Sequence, residues 1–360
     1  MMAKKILVVD DSALMRRVIC DIIDRDERFQ VVDKATNGLE ALGLLQKNQY
    51  DAVVLDVNMP KMSGLQLLEE LRKLKIPAKI MMASTDTKEG AKTTLDALEL
   101  GALDFIHKPD SAVDCHVDAF KNRLLQTLEV VANSKPAVFA PVSRVQESRQ
   151  TADKVASLVQ KSAGKVKGSK IVAIASSTGG PKALQSVIPR LPANLNAPVL
   201  LVQHMPKGFT ASLAERLNEI SQVKVKEAQE GDELVKGTVY LAMGGLHMNV
   251  RNNGGKYTIH YSDEPAREGV KPCANYMYES LTDSHFDEVV CVVMTGMGAD
   301  GTVGIKNLEA KKKVHVIAQD QDTCVVYGMP KSVVNAGLSD QVVPLDQLAQ
   351  EIALNVGVKE

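Results

Sequence analysis

A hydroxyl, an imidazole and a carboxylate, each just past the end of an apolar run, are the parts of an acyl-transfer site. The chain offers such a set in Ser-Ser-Thr-Gly-Gly at 176–180, Gln-His-Met-Pro at 203–206 and Thr-Gly-Met-Gly-Ala-Asp-Gly at 295–301. The first follows the buried run Ile171-Val-Ala-Ile-Ala175 and breaks into a Gly-Gly turn before a helix. A helix start supplies unpaired amides and a positive dipole end, which suit an oxyanion. Taken alone, that turn would serve equally well for a phosphate, although it has neither G-x-G-x-x-G nor the Gly-Lys-Ser/Thr of a P-loop. His204 and Asp300 favour the hydrolytic reading, because each follows a strand-like run of its own. The competing histidines, His247 in a hairpin and His315 inside a strand, read as structural or surface groups.

A second constellation lies near the start. Asp10 and Asp11 follow one apolar run, and Asp56 ends another. Three carboxylates converging at one sheet edge repel one another and call for a hard cation such as Mg²⁺. With the charge so balanced, Asp56 is placed to attack a phosphoryl group. Ser84 and Lys108, at the ends of two further runs, offer a hydroxyl and an ammonium for the remaining phosphoryl oxygens.

Parallel sheets are the elements that bring such residues to one edge. Up to about residue 130, short β-branched runs alternate with amphipathic stretches, and a second alternating array starts at Lys170. The expected fold is α/β, with two doubly wound parallel-sheet domains. Residues 246–261 add a β-hairpin turning at Gly254-Gly255. Between the arrays, residues 134–169 hold seven Lys/Arg against two Asp/Glu, with Pro136 and Pro141. That segment reads as a flexible basic linker whose one helical hint is Thr151–Val159, and its single aromatic residue, Phe139, argues against a nucleic-acid patch. The domains are therefore expected at 1–131 and 169–357, with 132–168 as the linker.

Composition narrows the classes. The 360 residues are 45% hydrophobic and 24% charged, with a formal net charge of −1, so no global field would hold nucleic acid or an anionic membrane. No apolar run approaches the roughly 18 residues of a membrane span. The five cysteines form no C-x-x-C pair. With Met1–Lys5 leading straight into a strand, they point to a reduced, cytoplasmic protein without a signal peptide or direct membrane insertion.

Val8-Val-Asp-Asp-Ser12, Leu55-Asp-Val-Asn-Met-Pro60, Ser84-Thr85 and His107-Lys-Pro109 together resemble the response-regulator receiver domain. The resemblance implies a flavodoxin-like sheet and Asp56 as phosphoacceptor. It also implies Mg²⁺ held by Asp10, Asp11, Asp56 and the Asn58 carbonyl, Ser84 and Lys108 as switch residues, and a cis proline after Lys108. The stretch Ser84-Thr-Asp-Thr87 departs from the Ser-Ser-x-Thr of close relatives. The second array resembles the chemotaxis protein-glutamate methylesterase (CheB) family, whose architecture is a receiver joined by a linker to a Rossmann-like esterase. That resemblance implies Ser177 as nucleophile, His204 as base, Asp300 as orienter, and Thr178 and Met297 on the oxyanion side, with no cofactor for the esterase. Relatives usually read Gly-Ala where this chain has Ala175-Ser176, which sets a second hydroxyl beside the first. The implied partners are a CheA-type histidine kinase and methyl-accepting chemotaxis receptors. The rival reading is a receiver joined to a binding module without catalysis, and retention of all three acyl-transfer residues argues against it.

Overall fold

The computed structural model describes residues 2–84, 88–109, 118–134, 145–162 and 168–359. The stretch after Ser84, the expected helix start at Val113 and the proline-bearing part of the basic segment lie outside the described residues. Contacts divide the chain into two units, Met1–Pro141 and Val142–Glu360.

The first unit alternates strand and helix throughout: β1 (Lys4–Val9), α1 (Ala13–Asp24), β2 (Phe29–Ala35), α2 (Gly38–Leu45), β3 (Ala52–Asp56), α3 (Gly64–Lys73), β4 (Ile80–Ser84), α4 (Lys88–Leu100), β5 (Asp104–His107) and α5 (Asp118–Asn133). Its five strands pair in parallel in the order β2-β1-β3-β4-β5, the flavodoxin-like order. β3 and β4 are buried along their whole length, as expected of strands covered on both faces. Helix starts are set by local side chains. Ser12 accepts from the Met15 amide, and Ser63 and Gln66 form a reciprocal capping box at α3. Ile19, Ile23, Leu124 and Leu128 close over Ile6 and Val8 on one face of the sheet.

The second unit opens with α6 (Val145–Ser162) and β6 (Lys170–Ser176), then α7 (Gly180–Val187), a 3-10 turn (Ile188–Arg190), β7 (Val199–Gln203) and α8 (Phe209–Ile220). β8 (Lys224–Glu227), β9 (Thr238–Leu241), the antiparallel pair β10 (His247–Asn253) and β11 (Lys256–Ser262), α9 (Ala274–Ser280) and β12 (Glu288–Val293) follow. The chain continues with α10 (Thr302–Glu309), β13 (Val314–Gln319), α11 (Met329–Asn335), β14 (Gln341–Val343) and α12 (Leu348–Val356). Seven strands form a parallel sheet in the order β14-β13-β12-β6-β7-β9-β8. The chain leaves β6 towards β7 and returns on its other side as β12, so the strand order reverses beside β6. That reversal opens a crevice at the carboxyl edge, where ligands bind in doubly wound sheets.

Two expectations need correction. The basic segment is not a linker throughout: α6 buries Ala152, Val155 and Val159 and packs against the 3-10 turn and α12. Positions 152, 155 and 159 share one helical face, while Asp153 and Lys154 stay exposed. A charge count averages around the helix and hides so narrow a stripe. The second correction concerns the proline after Lys108. Among the described residues the cis peptide lies at Lys271–Pro272, and not at Lys108–Pro109.

Candidate active sites in the two units

In the second unit, Ser177, His204 and Asp300 follow the carboxyl ends of β6, β7 and β12, on either side of the reversal point. His204 Nε2 lies 2.7 Å from Asp300 Oδ2, and both side chains are buried. Asp300 is gripped from the start of α9 as well. Its Oδ2 accepts from the Ala274 amide at 2.6 Å, and its Oδ1 from the Asn275 amide and the Cys273 thiol, both at 3.0 Å. Burial by itself would raise the Asp300 pKa. The hydrogen bonds and charge from His204, with those from Cys273 and Ala274, outweigh it and hold the carboxyl below the usual carboxylate range. The sign follows: ionised Asp300 contributes stability above the unfolded carboxylate pKa, and that contribution is lost as pH falls through the lower folded value.

Ser177 is buried, and its amide donates to the Thr295 carbonyl at 3.0 Å. Its Oγ makes no hydrogen bond to His204 among the described residues, which is usual for a nucleophile without substrate. Gly296 is needed beside it, since a Cβ there would come within 2.8 Å of Ser177 Cβ and 2.3 Å of Met329 Sδ. Thr178 is buried and its carbonyl accepts from Thr295 Oγ1 at 2.9 Å; Met297 is half-buried. The two serines differ in engagement. Ser176 Oγ donates to Gln203 Oε1 at 2.7 Å, whereas Ser177 Oγ has no such tie.

His247 opens β10 and is fully buried. Its Nδ1 accepts from the Cys273 amide at 3.2 Å, while Nε2 lies 3.2 Å from the Pro265 carbonyl. Burial pulls its pKa below the usual imidazole value, so the neutral form that accepts this bond is favoured. His315, in β13, pairs with Gln341 at 3.2 Å. Neither joins the Ser177–His204–Asp300 group. Sequence reasoning missed Cys273, Ala274 and Asn275 around Asp300, and Gln203 between the serine and histidine loops. Gln203 had a weak signal, as a polar residue ending an otherwise apolar strand.

In the first unit, Asp10 follows β1 and Asp56 ends β3, at the point where that sheet's order reverses. One carboxylate oxygen from each of Asp10, Asp11 and Asp56 lies within 4.8 Å of the others. Lys108 Nζ reaches Asp56 Oδ1 at 2.7 Å and Asp10 Oδ2 at 3.1 Å. Asp10, Asp56 and Lys108 are buried, Asp11 is exposed, and Asn58 is exposed two residues beyond Asp56. Ser84 is buried at the end of β4, its Oγ 3.4 Å from the Gly90 carbonyl. Burial raises both Asp10 and Asp56 despite Lys108. Lys108 is raised too: burial opposes its charge, but the two carboxylates more than offset that. The cluster thus holds negative charge that one ammonium does not balance, and its hard oxygen donors fit a divalent cation such as Mg²⁺.

Burying these carboxylates has a measurable cost. Because Asp10 and Asp56 bind protons more tightly folded than unfolded, stability falls as pH rises through the window above the ordinary Asp pKa and stays lower at neutral pH. Asp10→Asn should therefore stabilise the first unit in EDTA, since it removes one buried carboxylate and leaves the Asp56–Lys108 pair. Added Mg²⁺ should narrow the gap by stabilising the wild type. Urea unfolding of both proteins in EDTA and in Mg²⁺ checks this. A less stable Asp10→Asn protein in EDTA would contradict it.

Comparison with known proteins bears on the family and the fold. The family model for CheB methylesterase matches residues 172–352, and that for the response regulator receiver domain matches residues 6–117. A Syntrophomonas wolfei protein called protein-glutamate methylesterase/protein-glutamine glutaminase 1 is 40% identical over 97% of this chain and 98% of its own. The chain belongs to the CheB methylesterase family. A Pyrococcus abyssi member with the same activity in its name is 43% identical over 97% of this chain and 92% of its own. The crystal structure of the Thermotoga maritima CheB methylesterase catalytic domain covers 52% of this chain and 98% of that one, at 40% identity and a TM-score of 0.50. The match places the CheB methylesterase fold in the second unit. No helix among the described residues is long and apolar enough to cross a membrane.

Proposed function

We propose that the protein hydrolyses glutamate γ-methyl esters, and deamidates glutamines, on methyl-accepting chemotaxis receptors, under control of its phosphorylated receiver. The observation that carries this reading is the buried His204–Asp300 pair beside Ser177 at the reversal point of the second sheet, in a chain of this family. Ser177 Oγ attacks the ester carbonyl carbon and passes its proton to His204. With Nε2 held by Asp300, Nδ1 is the nitrogen left to take it. The oxyanion is met by the Thr178 and Met297 amides, neither of which has an acceptor among the described residues. His204 returns the proton to the departing methoxide, which leaves as methanol. Water, deprotonated by His204, then attacks the acyl-serine, and the carboxylic acid and Ser177 are released. A glutamine side chain would follow the same course and release ammonia.

In the receiver, Asp56 is the acceptor for a phosphoryl group from a CheA-type histidine kinase. Asp10, Asp11 and Asp56, with the Asn58 carbonyl, would hold Mg²⁺, which when bound neutralises charge on the phosphoryl oxygens. Lys108 and Ser84 then grip the oxygens of phosphorylated Asp56 and report its state. The cytoplasm is the compartment consistent with these partners. Methanol release from methylated receptor membranes, with and without a small acyl-phosphate donor, tests the whole reading. Release should rise with the donor in wild type and not in Lys108→Ala, which should still be phosphorylated. Equal stimulation of both proteins would remove Lys108 from the relay.

A further inference from the structure

We infer that Gln203 is a positioning residue that sets the Thr178 amide against the reacting carbonyl. The inference rests on the Ser177–His204–Asp300 reading above. Gln203 is the last residue of β7 and is buried. Its Nε2 donates to the Ser177 carbonyl at 2.9 Å and to the His204 carbonyl at 3.3 Å. Those two carbonyls only accept, which fixes the NH₂ end towards them, and Oε1 then accepts from Ser176 Oγ at 2.7 Å. One side chain thus ties the loop that carries the serine to the loop that carries the histidine. The backbone repeats the tie, since the His204 amide donates to the Ser176 carbonyl at 3.1 Å.

The consequence comes through peptide planarity. The Ser177 carbonyl and the Thr178 N–H belong to one rigid trans plane and point in opposite directions. Two donors hold that carbonyl, the Gly180 amide at 2.7 Å and Gln203 Nε2 at 2.9 Å. Fixing the carbonyl therefore aims the Thr178 N–H, the amide assigned to the oxyanion, although Gln203 touches neither oxyanion nor substrate. The fit leaves no slack on the helix side. A Cβ at Gly180 would lie 2.0 Å from Gln203 Oε1, so α7 starts flush against the amide. Ser176 becomes part of the same clamp.

A donor aimed where charge develops acts in the transition state more than in the ground state, so misaiming it lowers kcat and leaves KM nearly unchanged. Gln203→Met keeps the length and loses every hydrogen bond. In the full-length protein it should lower kcat for methanol release by about ten- to hundredfold, with KM within about twofold. Labelling of Ser177 by a fluorophosphonate should slow in parallel. Ser176→Ala should give the same split at roughly three- to tenfold, because Gln203 keeps its donors and loses only its anchor. Wild-type kcat in a folded Gln203→Met protein, or a loss confined to KM, would overturn the inference. If Gln203→Met fails to fold, Ser176→Ala decides alone, and wild-type kcat there overturns it. Ser177→Ala run alongside separates the two levels. An active Ser177→Ala means the triad reading is wrong, whereas an inactive Ser177→Ala beside a fully active Gln203→Met removes only the role of Gln203.

Discussion

Ser177→Ala should lower methanol release from methylated receptor by about four orders of magnitude or more while leaving the fold intact. Its Oγ makes no hydrogen bond among the described residues, so the substitution removes the attacking atom without orphaning a buried partner. His204→Ala should cost about as much, and the double variant little more than either alone, because the groups act as one unit. Asp300→Asn should fail for a different reason. Asp300 accepts from His204, the Cys273 thiol and the Ala274 and Asn275 amides, so an amide NH₂ in its place faces a donor whichever way it turns. The imidazole then loses its favoured tautomer, and the start of α9 loses part of its cap. Steady-state kinetics with circular dichroism on each variant checks this. Substantial release by Ser177→Ala would refute the assignment, and Ser176→Ala would then have to be tried as the nucleophile variant.

The second large effect belongs to the receiver. Asp56→Asn should abolish labelling of the chain by a small acyl-phosphate donor, and excess EDTA should do the same to wild type. The carboxylate is the attacking group, and the neighbouring Asp10 and Asp11 charges would otherwise repel an incoming phosphate. The substituted protein should remain folded, because removing one of two buried carboxylates leaves Lys108 paired with Asp10 at 3.1 Å. Label retained in Asp56→Asn would contradict the acceptor assignment, and label formed equally well in EDTA would contradict the metal assignment.

What could be read beforehand was what leaves a local pattern. Continuous apolar runs such as Ile6–Val9 and Val289–Val293 announce strands covered on both faces, and parallel topology carries the residues after them to a common edge. That is why Ser177, His204 and Asp300 could be grouped although 123 positions separate the first from the last. Gln203 and Cys273 could not be assigned in this way. Each acts by a side chain bonded across loops far apart in sequence, and no periodicity marks such a partner. Elements between the motifs were harder as well. β14 is three residues long, and α11 is seven residues in a stretch with no sustained period. α6 was obscured by its own lysines.

The packing of α6 changes how the catalytic half should be cut out of the chain. A fragment beginning at 165 or 169 would discard Ala152, Val155 and Val159 and uncover the apolar surface of the 3-10 turn and α12 beneath them. At about 1.5–3 kcal/mol for each fully buried valine, the loss is comparable with much of a domain's net stability. In such a fragment a low activity would not separate lost stability from the loss of an activating receiver. A cut before Val145 keeps the helix on its seat. Only a fragment of that kind makes a fair comparison with the unphosphorylated full-length enzyme.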